Sequence, residues 1–310
     1  MNKIPLSLIV VFLFFSCSQS REKSQQVEIA QDTTLVVGSA KTYIPQLPDE
    51  LNEISGMLVW RNLYWGFNDS GGDPVLYGFD DEGNIKMEVE LVNADNHDWE
   101  SIAQDDDYIY VGDFGNNFGS REDLCIYKIN KKEISDEVSQ KIEAEKINIR
   151  YASQNSFVYS VNSTPFDCEA MTEFNGKLLL FSKNWRDNTT ELYQLSTDPG
   201  SYTLVAVDTL VVNLLVTGAD ISPDKTKLAL IGYLDYQTYL WLFTNFSNNF
   251  FNSSEALQIH LQNIDGAQTE GIYFLNNDSL LISCEQTSGY DQQVFLFDLN
   301  SLKDGTHQGQ

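Results

Sequence analysis

The sequence predicts an all-β fold, a β-propeller of five four-stranded blades, from three observations. Helical periodicity is nearly absent along the chain. Short runs of β-branched and aromatic residues are separated by Asn, Asp, Gly and Pro, a pattern typical of strands and turns. A motif in which an acid is followed by small and apolar residues occurs five times, mostly about fifty residues apart. Repeats of this length with four strands each are typical of propeller blades.

Each repeat begins with the strand that contains the acid. The five first strands lie in NEISGMLVW from Asn52, DWESIAQDD from Asp98, DCEAMTEFN from Asp167, TGADISPDK from Thr217 and QTEGIYFLN from Gln268. Their aligned acids are Glu53, Glu100, Glu169, Asp220 and Glu270. A turn, a second strand and a third strand follow in every repeat.

A fourth strand follows in the first four repeats only. These outer strands are IKMEVEL, KINIRY, YTLVAVDTLVV and ALQIHL. Residues 33–44, TTLVVGSAKTYI, form a strand without a blade, so we expect them to complete blade five and close the ring. The long second repeat absorbs an insertion around residues 131–145, where we expect at most a turn or two of helix. A sixth, degenerate blade in this repeat is the alternative.

The N-terminal segment MNKIPLSLIVVFLFFSC has one lysine and then an apolar run too short to span a bilayer, which is typical of a secretory signal. Its end resembles the lipobox of bacterial lipoproteins. We therefore expect residues 1–17 to be a signal peptide that ends at a lipidated Cys17. Serine at position 18 favours the outer membrane, with the protein facing the periplasm or the cell surface. Residues 18–32 are expected to be a flexible tether and residues 33–310 a single propeller domain.

The formal net charge of -26 argues against nucleic acid as a partner. Such a charge attracts cations or cationic ligands, or it serves solubility alone. We expect a monomer that contacts the membrane through its lipid. Apart from Cys17, the cysteines are Cys125, Cys168 and Cys284, each in an apolar run, and we expect buried thiols rather than a disulfide framework.

Propeller geometry brings the aligned acids together, because the first strand of a blade starts on the face where its second strand ends. Other polar residues expected at this mouth of the channel are Asn68, Asp69, His97, Asp98, Asp113, Asn116, Asn117, Lys183, Asn184 and Glu285. Crowded carboxylates repel one another unless something compensates. Three compensations are open: a hard cation such as calcium, backbone N–H groups that latch adjacent blades, or pairing with Lys183.

Several motifs resemble those of known exported propellers. They are NDSGG, DWESIA, GDFGNN, FDCEAM, TGADISPD and TEGIYF. Over about residues 50–299 they are similar to the superfamily of esterase-like phytases and lactonase-type propellers such as gluconolactonase and regucalcin. The resemblance implies calcium or another divalent cation at the channel mouth, with matching ligands Glu53, Asp113 or Asn116, Asn184 and Asp220. Here Glu100, Glu169 and Glu270 add further candidate ligands.

Catalytic machinery beyond the carboxylates is sparse. The sequence has no G-x-S-x-G elbow, phosphate-cradling glycine loop or C-x-x-C pair. His97 and Glu100 are the candidate catalytic residues, with His97 either a general base toward a metal-bound water or an ordinary surface histidine. Two functions remain open. One is an outer-membrane lipoprotein that binds a small-molecule ligand or an envelope protein, with a cation at the acidic face, and the sparse machinery favours it. The other is a calcium-dependent hydrolase of an ester, lactone or phosphoester.

Overall fold

The computed structural model describes residues 34–246 and 254–302, which form five sheets arranged as a five-bladed propeller. The prediction of five blades is confirmed and the alternative of six is wrong. The predicted signal peptide, Cys17 and the tether lie outside the described residues. In the described part of the chain, no helix is long and apolar enough to cross a membrane.

Each blade runs from the channel outward in antiparallel strands. The N-terminal strands are β1 (Thr34–Val37) and β2 (Lys41–Ile44). Blade one contains β3 (Ile54–Trp60), β4 (Leu63–Asn68), β5 (Val75–Phe79) and β6 (Ile85–Leu91). Blade two contains β7 (Trp99–Gln104), β8 (Tyr108–Asp113), β9 (Cys125–Asn130) and β11 (Glu145–Tyr151), and β10 (Ser139–Ile142) precedes β11. Blade three contains β12 (Asp167–Phe174), β13 (Lys177–Lys183), β14 (Thr190–Ser196) and β16 (Asp208–Leu210), with β15 (Gly200–Leu204) before β16. Blade four contains β17 (Leu215–Ile221), β18 (Lys227–Leu234), β19 (Gln237–Thr244) and β20 (Glu255–His260). Blade five contains β21 (Thr269–Asn276), β22 (Ser279–Cys284) and β23 (Gln293–Asp298). Single 3₁₀ turns occur at Asp49–Leu51, Lys131–Glu133 and Gln262–Ile264.

The N-terminal segment closes the ring as expected, but it does so with only its second half. Strand β2 pairs antiparallel with β23 and becomes the outer strand of blade five. Strand β1 instead pairs parallel with β20 at the edge of blade four. Gly38 lies between them, and a Cβ there would approach Ile259 and Phe297 to 2.8 Å. Glycine therefore allows the chain to cross closely from one blade to the next.

Two further segments cover the edge of the preceding blade. The insertion in the second repeat forms the 3₁₀ turn Lys131–Glu133 and then β10, which pairs parallel with β6 of blade one. The run YTLVAVDTLVV does not form one outer strand. It contributes the end of β15, which pairs parallel with β11 of blade two, and then β16, the outer strand of blade three. Covered edges have fewer unpaired backbone groups available for pairing with another chain.

Apolar side chains between adjacent blades form the core. Between blades one and two, the rings of Phe67 and Trp99 meet edge to face with centroids 5.5 Å apart. Cys125, Cys168 and Cys284 are buried and free, which confirms the expected thiols.

Every inner strand has a β-bulge near its start, where one extra residue interrupts the pairing with the second strand. The first unpaired residues are Ser55, Glu100, Glu169, Thr217 and Glu270. The sequence alignment therefore identified the equivalent acids in blades two, three and five. It was wrong in blades one and four, where Glu53 precedes the strand and Asp220 lies three residues beyond the bulge.

The channel is pinched just past the bulges. The residue after each first unpaired position is small: Gly56, Ser101, Ala170, Gly218 and Gly271. A Cβ on Gly218 would lie 2.5 Å from the backbone oxygen of Glu270, so neighbouring inner strands pack in close contact there. A cavity of only about 10 Å³ remains at this waist. The waist separates a near mouth, where the inner strands start, from a far mouth, where they end.

Candidate metal centre at the near mouth

Three carboxylates converge at the near mouth. One oxygen each from Asp69, Asp98 and Glu100 lies within 4.8 Å of the other two. Asp69 follows β4, Asp98 precedes β7, and Glu100 is the bulged residue of β7. Glu100 is buried, whereas Asp69 and Asp98 are partly exposed. We call these three residues the carboxylate triad. Sequence reasoning placed all three at this mouth, but of the three only Glu100 was a predicted ligand.

Backbone hydrogen bonds position two members of the triad. The amide of Asp69 donates to the carbonyl of Glu53 at 3.0 Å, which ties the end of β4 to the start of β3. The amide of Asp98 donates to Oδ1 of Asp113 at 3.1 Å. The hydroxyl of Ser55 donates to Oε2 of Glu100 at 3.2 Å, across the boundary between blades one and two.

Gly115, in the segment GDFGNN, leaves room for the triad. A Cβ there would lie 2.4 Å from Oε1 of Glu100 and 2.5 Å from Oδ2 of Asp98. Its amide donates to the carbonyl of Asp98 at 3.2 Å. The segment therefore contributes a close backbone wall, and only a residue without a side chain fits.

Arg121 holds this wall in place. Its guanidinium donates to the carbonyl of Gly115 at 2.9 Å and to Oδ1 of Asp113 at 2.8 Å. Arg121 is not among the residues expected from the sequence. The available signal was an arginine in an acid-rich segment, four residues after the end of GDFGNN.

Burial and mutual repulsion disfavour three charged carboxylates in the triad. Burial, followed by the charge of Glu53, raises the pKa of Asp69 to about 6. Burial, followed by the charge of Asp69, raises the pKa of Asp98 to about 7. Burial and the charge of Glu169 raise the pKa of Glu100 well above its usual range. Oδ1 of Asp69 is also buried without a hydrogen-bond partner in the described part of the protein. A cation between the carboxylates would remove the repulsion and supply this missing partner.

These raised pKa values predict that the metal-free protein loses stability as the pH rises. Between the ordinary carboxyl pKa of about 4 and the raised values, the folded protein binds more protons than the unfolded chain. For Asp69 and Asp98 this window ends at pKa values of about 6 and about 7. We expect the melting temperature in chelator to fall from about pH 5 to about pH 8, and calcium to raise it more at the higher pH. Thermal unfolding at both pH values checks this, and a chelated protein that becomes more stable over this range would contradict it.

In blade three, a lysine neutralises the buried acid Glu169. Nζ of Lys183 lies 2.6 Å from both carboxylate oxygens of Glu169, and both residues are buried. The ammonium group also lies 5.0 Å from the ring centroid of Trp185 and 5.2 Å from that of Tyr233. Pairing with Lys183, one of the three compensations considered from the sequence, therefore occurs in blade three.

Blade five keeps two acids close together at the same mouth. Burial raises the pKa of Glu270 to about 8, with Lys183 opposing the shift and Glu285 adding to it. Burial and the charge of Asp69 raise the pKa of Glu285 to about 8. These carboxyls extend the acidic surface around the triad.

Asn116 and Asn184, the predicted ligands with amide side chains, form hydrogen bonds within the loops of the near mouth. Oδ1 of Asn116 accepts the amide of Arg121 at 2.9 Å, and its side-chain amide donates to the carbonyl of Phe166 at 3.1 Å. Oδ1 of Asn184 accepts the amide of Arg186 at 3.0 Å. Both oxygens are therefore engaged within the protein.

The predicted carboxylates in blades one and four lie away from the triad's centre. Glu53 is exposed at the rim. Asp220 lines the far mouth, where it accepts the amide of Phe274 at 2.7 Å and the hydroxyl of Thr172 at 3.3 Å. Asp220 thereby links three blades, which is the latching role considered from the sequence.

His97 lies at the rim and is about half exposed. Its Nδ1 is 3.3 Å from Oδ2 of Asp123 and 3.6 Å from Oδ2 of Asp113. Asp113 is itself bound by Arg121, so the imidazole lies over an existing ion pair.

Comparisons with known proteins do not assign this chain to a family. No family model matches the chain, and no curated protein matches it. A PQQ-bound aldose sugar dehydrogenase from Streptomyces coelicolor is similar with a TM-score of 0.49 and 12% identity, over 84% of this chain and 98% of that one. A putative 6-phosphogluconolactonase from Bacteroides uniformis has a TM-score of 0.37 and 11% identity, over 71% of this chain and 62% of that one. The order of the strands in the five sheets, and not these similarities, identifies the protein as a β-propeller.

Proposed function

We propose that this protein is an exported propeller that binds a divalent cation, calcium in the first instance, at the carboxylate triad, and that the cation-loaded mouth binds a ligand or an envelope protein. The observation that carries the proposal is the convergence of Asp69, Asp98 and Glu100 within 4.8 Å. Oxygen-only ligands suit a hard cation, and partly exposed carboxylates leave positions for water or a ligand.

A calorimetric titration with calcium chloride tests this function directly. The expected result is saturable binding with one strong site per chain after treatment with chelator. Glu100→Gln removes a charge from the triad while keeping the side-chain shape, so we expect calcium affinity to fall at least about tenfold. Glu137→Gln, which removes an exposed charge near the edge of blade one, is the matched control and should bind as the native protein does. Equal affinity of both variants would contradict the proposal.

The N-terminal segment supports a lipid anchor in the outer membrane. The lipobox-like end at Cys17 and the polar residues after it match a tethered lipoprotein. We expect Cys17→Ser to abolish palmitate labelling and to release the protein from the membrane fraction. Palmitate labelling and fractionation of cells check this, and a variant that stays labelled and membrane-bound would contradict the anchor.

Hydrolysis at the same mouth is the second candidate function, favoured by the position of His97 beside two carboxylates. The resemblance to esterase-like phytases and lactonase-type propellers points to lactone, aryl ester or phosphoester substrates. Purified protein is to be assayed against these three classes with and without chelator. Chelator-sensitive turnover that is lost in folded Glu100→Gln would establish a hydrolase. Absence of turnover on all three would leave binding as the function.

A further inference from the structure

The far mouth of the channel is a second candidate site, separate from the triad. Its cavity has a volume of about 820 Å³, lined by residues from the ends of inner strands of all five blades. The waist, with its cavity of about 10 Å³, closes the bottom. The far mouth is therefore a blind funnel, large enough for a small organic molecule.

The funnel has an apolar floor and an aromatic wall. Met57, Ile102 and Ile272 line the level next to the waist. Trp60 and Tyr273, both partly exposed, line the wall above. The hydroxyl of Tyr273 is already placed by the side-chain amide of Gln104, which donates to it at 3.3 Å. Such a surface favours a ligand with an apolar or aromatic body.

Carboxylates dominate the charge of the funnel. Five acidic side chains line it, against the two lysines Lys131 and Lys225. Nζ of Lys131 donates to Oε1 of Gln104 at 2.7 Å and to the carbonyl of Asp105 at 2.5 Å. Lys225 is exposed and donates to Oδ1 of Asn175 at 3.2 Å. Both ammonium groups are thus directed to the protein's own oxygens, and the funnel keeps an excess of negative charge.

Two of the acids, Asp220 and Glu173, are partly exposed in the funnel. Asp220, partly exposed, receives the amide of Phe274 at 2.7 Å and the hydroxyl of Thr172 at 3.3 Å. Glu173, also partly exposed, accepts the amide of Gly176 at 2.6 Å through Oε1. The remaining acids are less available: Asp105 accepts the amide of Tyr108, Asp107 pairs with Lys132, and Asp106 lies exposed in the rim turn.

We propose that the far funnel binds an organic primary amine, with the ammonium group at Asp220, inside the negative charge to which Glu173 contributes, and an apolar body against Trp60, Tyr273 and the floor. This site is independent of the cation at the near mouth. A neutral molecule of the same shape lacks the charge that these carboxylates would recognise, so it is expected to bind more weakly.

Calorimetric titration with 2-phenylethylamine, with 2-phenylethanol as the neutral counterpart, tests the proposal on the full protein in saturating calcium. We expect one amine per chain and at least about tenfold weaker binding of the alcohol. Asp220→Asn keeps an oxygen for the amide of Phe274 and should weaken amine binding at least about tenfold. Glu173→Gln, whose side chain is partly exposed, gives a second variant should Asp220→Asn fail to fold.

Glu137→Gln removes the same charge at a residue that does not line the funnel, and it should leave amine binding unchanged. The proposal is overturned if the amine does not bind below about 10 mM or binds no more tightly than the alcohol. It is equally overturned if folded Asp220→Asn or Glu173→Gln binds the amine as the control does.

Discussion

Replacing Gly115 by alanine is expected to weaken calcium binding at the triad strongly while leaving the propeller folded. The added methyl group would lie 2.4 Å from Oε1 of Glu100 and 2.5 Å from Oδ2 of Asp98, so both carboxylates must turn away. Carboxylates that have turned apart no longer converge on one ion. We expect affinity to fall at least about 100-fold, equivalent to about 2.7 kcal/mol of binding free energy.

The metal-free form of Gly115→Ala should differ little from the native protein. The atoms that must move are ends of side chains, and moving them apart relieves their repulsion. Calcium titration together with thermal unfolding in chelator checks both parts. Gly72→Ala is the control, because a Cβ at Gly72 would meet open space. Gly176→Ala is unsuitable, because Gly176 has a φ of 78°, which strains residues with a side chain. Unchanged calcium affinity in Gly115→Ala would contradict the assignment of the triad.

Removing Lys183 is expected to be strongly destabilising, because it leaves Glu169 buried without its partner. Breaking a buried ion pair from one side costs about 3–5 kcal/mol in free energy of unfolding. In Lys183→Met the pKa of Glu169, already raised by burial, loses the opposing effect of Lys183 and rises further. The folded variant then binds more protons than its unfolded chain, so its stability is greatest at low pH and falls as the pH rises. We therefore expect a larger loss at about pH 8 than at about pH 5.

Urea unfolding of Lys183→Met and of the double variant Lys183→Met/Glu169→Gln measures this coupling. The double variant removes both charges and should recover much of the loss. Lys132→Met removes a lysine whose pair with Asp107 is exposed, and it should cost less than about 1 kcal/mol. Equal losses of unfolding free energy in Lys183→Met and Lys132→Met would show that the buried pair contributes no more to stability than the exposed one.

The blades could be predicted from the sequence because every blade of a propeller repeats the same strand packing. Each inner strand must approach its neighbours closely, so small residues recur beside the bulge, and Gly56 and Gly218 are readable in the sequence. The bulge itself depends on pairing with the second strand and has no signature in hydrophobic spacing. The alignment therefore chose the nearest acid, Glu53 in blade one and Asp220 in blade four.

The strands that pair with the edge of a neighbouring blade could not be predicted from sequence patterns. Strands β1, β10 and β15 pair parallel with a neighbouring blade, and this pairing exists only once the ring has formed. Their local sequences are ordinary short strands or polar segments. Sequence spacing therefore assigned the segments that contain β1 and β15 to a single blade each.

The sequence predicts where the candidate site lies better than it predicts which residues form it. Strand polarity brings Glu100, Asp69 and Asp98 to one mouth, which follows from the repeats. Which oxygens converge depends on how the loop after β8 folds back, and that is decided by Gly115 and Arg121. Amides such as Asn116 looked equally suitable as ligands, but hydrogen bonds within the loop engage them.

Anomalous scattering from crystals grown with manganese or calcium would locate the bound cation itself. We expect one strong peak at the near mouth, bound to oxygens of Asp69, Asp98 and Glu100, with distances of about 2.3–2.6 Å for calcium. The same peak should be absent from crystals of Gly115→Ala. Crystals of the native protein with no peak at the triad, at cation concentrations that saturate the protein in solution, would show that the triad is not the cation site.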